Sequence, residues 1–250
     1  MVVGLTVSWL GHATVLIEVD GARVLTDPVL RDRVGPLVRV AASVQTDAVG
    51  ALDCVLLSHL HYDHTDLPTL RNLGRSTPII VPSPAREWLA CKGFTDVRQV
   101  SPGESMTISA VQVSATRANH DPRRRPLGPI APPVGYMIQA SRSVYFAGDT
   151  DLFSAMEDMR GVVDVALLPV WGWGARLGAG HLDPVRAAIA AALIAPAVAI
   201  PIHWGTFAPR RLGRSASDPE RPAREFAAQV KRRAPAVDVR LLAPGQTTSS

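Results

Sequence analysis

Lysine is almost missing from this chain of 250 residues: it occurs only at Lys92 and Lys231, so the net charge of +4 is carried by arginine. Aromatic residues are also scarce, at 5%. A protein that tracks a nucleic-acid strand needs a basic groove interleaved with stacking rings. No specific nucleic-acid partner is therefore expected, and the modest positive balance suits a small anionic substrate instead. Two cysteines, Cys54 and Cys91, are too few for a disulfide framework, and neither has metal-ligand spacing. Cys54 lies in an apolar run and reads as a small core residue. Long hydrophobic runs are absent too. The longest, 185–202, is interrupted by Arg186, Pro196 and Pro201, so it reads as a helix followed by a buried strand, and no membrane span is expected. The first residues, Met1 to Val7, lack the basic start and the small-residue cleavage site of a secretory signal. These absences together predict a soluble, cytoplasmic protein. They leave homo-oligomerisation open.

There is also no low-complexity linker and no detectable internal repeat. The length suits one large domain spanning residues 1–250, with a tail at about 244–250 expected to be disordered. Strand-like runs fall at Thr6–Trp9, Val15–Val19, Arg23–Leu25, Cys54–Leu57, Pro78–Val81, Ser105–Ser109, Val111–Ala115, Gly135–Ile138, Ser143–Ala147, Val165–Leu168 and Val198–Pro201. Helical patterns fall at Leu67–Leu73, Ala85–Lys92, Pro184–Ile194 and Arg221–Arg232. Pro84 and Pro184 suit a helix first turn, and Asp183 suits an N-cap. Hairpin strands first, then strands alternating with helices, predict a mixed α/β domain. Leu30 to Asp47, Asp121 to Pro133 and Leu212 to Pro222 read as exposed, variable loops.

What is present in excess is metal-binding chemistry. His59-Leu60-His61-Tyr62-Asp63-His64 follows an apolar strand and puts four metal-binding side chains on one turn. Imidazole and carboxylate are the donors that zinc and similar divalent ions prefer. Four such groups in six residues, with more supplied from elsewhere, are too many for a single ion. Two ions sharing a ligand is the simpler reading, and two-metal sites with ions roughly 3.5–4 Å apart are hydrolytic devices. The remaining histidines are His12, His120, His181 and His203. Taken alone, His120 could be a plain loop residue, Asp149 a turn former and His203 a core histidine beside Trp204.

The motifs Trp9-Leu10-Gly11-His12-Ala13-Thr14, Leu25-Thr26-Asp27-Pro28, Ser58 to His64, Phe146-Ala147-Gly148-Asp149-Thr150, His181-Leu182-Asp183-Pro184 and His203-Trp204-Gly205-Thr206-Phe207 cover roughly 9–207. In this the chain resembles the metallo-β-lactamase-fold hydrolases, and within them the branch that holds N-acylphosphatidylethanolamine phospholipase D and L-ascorbate-6-phosphate lactonase. The resemblance implies an αββα sandwich and a binuclear centre. One ion would be held by His59, His61 and His120, the other by Asp63, His64 and His203, with Asp149 bridging. Zinc is the default, with manganese or iron acceptable to the same donors. A bridging hydroxide would attack a phosphodiester or a lactone of a small anionic substrate. Asp63 and His181 are the candidate catalytic residues, His181 as the acid for the leaving group. Asp27 would orient a metal-binding histidine, and His12 would support the ligands or the pocket floor. Trp171, Trp173, Trp204 and Phe207 are candidate pocket walls, with core packing equally open for the last two. Of Arg123, Arg124 and Arg125, at least two are expected to be solvated, and Arg123 is the candidate for attracting phosphate. A nuclease of the same fold, and a non-catalytic protein binding an anionic metabolite, are the alternatives.

Overall fold

Apolar residues alternate along the strands, and that alternation builds two stacked sheets. The computed structural model describes residues 4–44, 49–124, 128–171, 178–210 and 218–249. In chain order the first strands are β1 (Leu5–Gly11), β2 (Thr14–Val19), β3 (Ala22–Thr26), β4 (Arg33–Val34), β5 (Leu37–Arg39) and β6 (Cys54–Leu56). Next come α1 (Leu67–Leu73), β7 (Ile79–Pro82), α2 (Arg86–Ala90), β8 (Val97–Val100), β9 (Ser105–Ile108), β10 (Val111–Arg117), β11 (Val134–Gln139) and β12 (Ser143–Phe146). A short 3-10 helix at Ser154–Met159 precedes β13 (Val165–Pro169), α3 (Pro184–Ile194), β14 (Val198–Ile202) and β15 (Phe207–Pro209). The last elements are α4 (Arg221–Arg233), β16 (Asp238–Val239) and β17 (Gln246–Ser249).

One seven-stranded sheet has the order β17-β1-β2-β3-β6-β7-β8, and the other β16-β14-β13-β12-β11-β10-β9. Each begins with antiparallel strands and continues as a parallel run. In the first sheet Val24, Cys54, Leu56 and Ile80 face the interior shared with the second sheet. Their neighbours Leu25, Val55, Leu57, Ile79 and Val81 face the other way, packing with Leu70 of α1 and Leu89 of α2. This period of two is what a strand buried on both faces requires. On the far side α3 and α4 cover β13 and β14, α3 through the small buried side chains Ala187, Ala188, Ala190 and Ala191. The layers are helices, sheet, sheet, helices: the αββα sandwich, in one domain.

Helix starts follow local chemistry. Asp183 caps α3 by accepting from Arg186 N at 2.8 Å, and Asp66 caps α1 by accepting from Thr69 N at 3.1 Å. Three expectations need correction. The tail is not disordered: Gln246–Ser249 pairs antiparallel with β1. Pro84 does not open a helix, since α2 starts at Arg86 and runs only to Ala90. The segment from Leu30 is not simply a surface loop, because β4 and β5 form a small sheet with β15. Leu30, Val34 and Leu37 are buried.

Candidate metal centre

The functional side chains hang from one end of the strands. His12 follows β1, Asp27 follows β3, and His59 to His64 follow β6; all three strands run the same way in the first sheet. His120 follows β10, Asp149 follows β12 and His203 follows β14, again co-directional in the second sheet. Carboxyl ends of strands are where α/β sheets assemble their sites, because the loops leaving them converge on one rim. The backbone there is strained: His12, Asp27 and His203 all have positive φ (53°, 34° and 66°). Gly148, at φ 59°, is required by a close approach, since a Cβ would stand 2.5 Å from Ser58 Cβ. That approach seats Asp149 beside the histidine turn.

Ring nitrogens face one another across the centre. His61 Nδ1 is 3.0 Å from His59 Nε2 and 3.1 Å from His120 Nε2. His203 Nε2 is 3.3 Å from His64 Nε2. Asp149 stands between these groups: its Oδ2 is 3.3 Å from His64 Nε2 and 3.9 Å from His120 Nε2, and its Oδ1 is 3.3 Å from His203 Nε2. Asp63 Oδ2 is 3.8 Å from His64 Nε2.

The opposite ring edges fix the tautomers. His120 Nδ1 donates to Gly180 O at 2.8 Å and His203 Nδ1 to Trp171 O at 2.6 Å. His64 Nδ1 donates to Asp27 Oδ2 at 2.7 Å. Ser58 Oγ donates to Asp27 Oδ2 at 2.5 Å, so it accepts from His59 Nδ1 at 2.9 Å. Asp27 thus sets two histidines, one directly and one through Ser58. Each of these rings, when neutral, turns a bare Nε2 lone pair toward the centre.

Ring nitrogens gathered at 3.0–3.3 Å need something positive between them, a proton on one ring or a cation shared by several. Four nitrogens at the usual 2.0–2.1 Å from a zinc ion stand about 3.3 Å apart, so the donor set fits a divalent cation. Charge agrees. Burial pushes His59, His61 and His203 below the usual imidazole range, and His120 to about 4. Burial works against ionised Asp149 and Asp63, yet the surrounding histidines hold both well below the usual carboxylate range. His64 goes the other way: burial disfavours its charge, but Asp149, Asp63 and Asp27 push it well up. Among the described residues neither Asp63 nor Asp149 is paired with an arginine or lysine. Donors that could share an ion fall into four overlapping groups: His59, His61, His120; Asp63, His64, His203 with His12; Asp149 with His120 and His181; and Asp27 with His59 and His64, whose ring edges Asp27 and Ser58 already occupy.

Of the remaining candidates, His12 and His181 join the centre and the others that are described divide between rim and core. His12 is fully buried, with Nε2 3.3 Å from Asp63 Oδ2 and its ring 4.0 Å from that of His203. His181 is 28% exposed, with Nε2 3.7 Å from Asp149 Oδ2. Trp173 and Arg125 lie outside the described residues. Arg123 is exposed on the rim, whereas Arg124 is buried and does not point to solvent. Trp204 is core, its ring 4.8 Å from that of Trp9. Phe207 packs with Val29, Val34 and Leu37 and meets His12 edge-on. Ser58 and the carbonyls of Gly180 and Trp171 escaped sequence reasoning. A serine next to a ligand motif and a main-chain carbonyl carry no signature of their own.

Comparison with known proteins places the chain in a family and a fold. The family model described as a beta-lactamase superfamily domain matches residues 22–204. A UPF0173 metal-dependent hydrolase of Methanopyrus kandleri is 33% identical over 248 residues, covering 96% of this chain and 98% of that protein. The chain belongs to the β-lactamase superfamily, and its fold is the metallo-β-lactamase fold. The N-acyl-phosphatidylethanolamine-hydrolyzing phospholipase D 1 of Caenorhabditis elegans is 29% identical, over 82% of this chain and 65% of its own length. Among solved structures, Igni18, a metallo hydrolase of Ignicoccus hospitalis, superposes with a TM-score of 0.76 at 24% identity, covering 99% and 98% of the two chains. CmlA, a diiron β-hydroxylase of Streptomyces venezuelae, reaches 0.73 at 19% identity, over all of this chain and 54% of its own. At these identities the two structures speak to fold alone.

Proposed function

We propose that this protein is a metal-dependent hydrolase that holds two divalent ions side by side, zinc by default, with manganese or iron acceptable to the same donors. His59, His61 and His120 would hold one ion, Asp63, His64 and His203 the other, and Asp149 would reach both. The observation that carries this reading is the convergence of ring nitrogens at 3.0–3.3 Å, two of the three contacts spanning the sheets, with the far edges of His59, His64, His120 and His203 tied back to Ser58, Asp27 and carbonyls. Ions held there would supply a Lewis acid for an ester oxygen and a water acidic enough to be a nucleophile near neutral pH. The chain's own residues do the rest. Asp27 and Ser58 keep the donor nitrogens turned inward. His12 braces Asp63. His181, at the exposed side of Asp149, can hand a proton to the departing oxygen.

The relatives named as metal-dependent hydrolases support the reaction class. The nematode relative, named for hydrolysing a phospholipid, supports a phosphodiester substrate ahead of a lactone. Among the described residues no helix is long and apolar enough to cross a membrane, and a small anionic phosphodiester is the substrate we favour. Elemental analysis of metal-replete protein, with turnover of bis(4-nitrophenyl) phosphate and of a lactone panel, tests the reading. Two ions per chain and chelator-sensitive phosphodiester cleavage are expected. One ion or none per chain would sink the binuclear centre, and lactone turnover alone would move the substrate class.

A further inference from the structure

Arg124 lies in the loop between β10 and β11, shortly beyond His120, and is 5% exposed although it carries a charge. The loop is folded around it. Arg124 N donates to Pro129 O at 3.3 Å, Gly128 N to Arg124 O at 2.7 Å, and Ala131 N to Pro122 O at 3.1 Å. A Cβ on Gly128 would stand 2.5 Å from both Cβ and O of Arg124, so only glycine lets the loop close this tightly. The guanidinium runs inward past two rings, 3.9 Å from the centroid of Tyr62 and 5.0 Å from that of Trp88. Its Nη1 donates to Leu60 O and, at 3.1 Å, to Thr65 O.

Those two carbonyls are not arbitrary. Leu60 sits between His59 and His61, and Thr65 directly follows His64. The turn between them forms neither helix nor strand; its His61 carbonyl is satisfied within the turn, while those of Leu60 and Thr65 meet Arg124. A buried guanidinium with no carboxylate in ion-pair contact among the described residues is costly. Two backbone acceptors and two aromatic faces offset that cost, and every one of these partners except Trp88 belongs to or borders the ligand turn.

We propose that Arg124 is a positioning residue for the metal centre. One guanidinium clamps both ends of the His59–His64 turn and ties the turn to the loop that bears His120. The three nitrogens of His59, His61 and His120 are thereby held in register before any ion arrives. The proposal rests on the metal-centre reading above.

The test compares wild type with Arg124→Met, which keeps the stem between the rings and removes the donors, and with Arg124→Lys. Zinc affinity is read by chelator competition, and melting temperature is read for the metal-free and zinc-loaded forms. Arg124→Met is expected to weaken zinc binding ~10–100-fold, the range seen when groups that orient ligands are removed. It should also narrow the gap between the zinc-loaded and metal-free melting temperatures. Arg124→Lys, a point charge without the planar fork, should fall between the two. A merely structural arginine would lower both melting temperatures equally and leave zinc affinity unchanged, and that result overturns the proposal. If Arg124→Met does not fold, Arg124→Lys decides: wild-type zinc affinity in that variant overturns it. Failure of the wild type itself to bind zinc or another divalent ion overturns the metal-centre reading, and the clamp with it.

Discussion

His181 is partly open to solvent, its side chain 28% exposed. Its Nδ1 donates to Gly178 O at 3.2 Å, which leaves Nε2 facing Asp149 at 3.7 Å. A ring so placed can meet a substrate oxygen without giving up a metal. His181→Ala should leave both ions bound and slow hydrolysis of esters with poor leaving groups by ~10²–10⁴-fold. Nitrophenyl esters, whose leaving group departs without a proton, should be largely spared; steady-state kinetics on the paired substrates checks this, and equal slowing of both would make His181 a positioning residue. Asp27 is the opposite case, with no exposed surface. It accepts from Ser58 N at 2.7 Å, Ser58 Oγ at 2.5 Å and His64 Nδ1 at 2.7 Å. Asp27→Asn would turn an amide donor toward one of these donors, so zinc affinity should fall ~10–100-fold in chelator competition. Unchanged affinity would leave Asp27 as a turn residue only. The side chains at the centre were legible in the sequence because histidine and aspartate advertise their chemistry. The rest of the arrangement was not: Arg124 looks like its neighbours Arg123 and Arg125 until the loop buries it.

Elements were legible where burial imposes a pattern and obscure where it does not. β6, β7, β12, β13 and β14 are buried along their whole length, so their apolar runs stand out. β8 is missed because Arg98 and Gln99 between its two valines are exposed. β17, Gln-Thr-Thr-Ser, has no apolar side chain at all; the open edge of β1 recruits it. The parallel half of the second sheet has a polar fastening of its own. Asp164, just before β13, accepts from Ser143 N at 2.7 Å, Ser143 Oγ at 2.9 Å and Arg142 Nη1 at 3.1 Å. Partial burial would raise its pKa, but the Ser143 and Arg142 donors outweigh it and the carboxyl is held below the usual value. A depressed folded pKa means stabilisation that is full above the ordinary aspartate value of about 3.9 and is lost as pH falls below it. Asp164→Ala should therefore cost about 1–3 kcal/mol at pH 7. The difference from wild type should shrink as denaturant melts are repeated toward pH 3, and a difference that grows there would refute the assignment.

At the scale of the whole molecule the centre straddles both sheets, since His59 to His64 hang from one and His120, Asp149 and His203 from the other. A bound ion would fasten the two layers together. One site filled at a hundred times its dissociation constant adds about 2.7 kcal/mol, which for a domain of this size raises the melting temperature by roughly 5–10 °C. Calorimetry before and after chelation checks that shift, and identical melting curves would mean that no ion joins the sheets. The pairing of β1 with β17 carries a different consequence. Thr6 faces Ser249 and Trp9 faces Gln246, so β1 is sealed by a strand that leaves the ribosome well over two hundred residues later. A ribosome adding roughly 5–20 residues per second needs some tens of seconds to deliver the intervening chain. If β1 pairs with β2 within that interval, its other edge is left bare, a template for any extended segment nearby. Strand β17 is the cover that closes this edge.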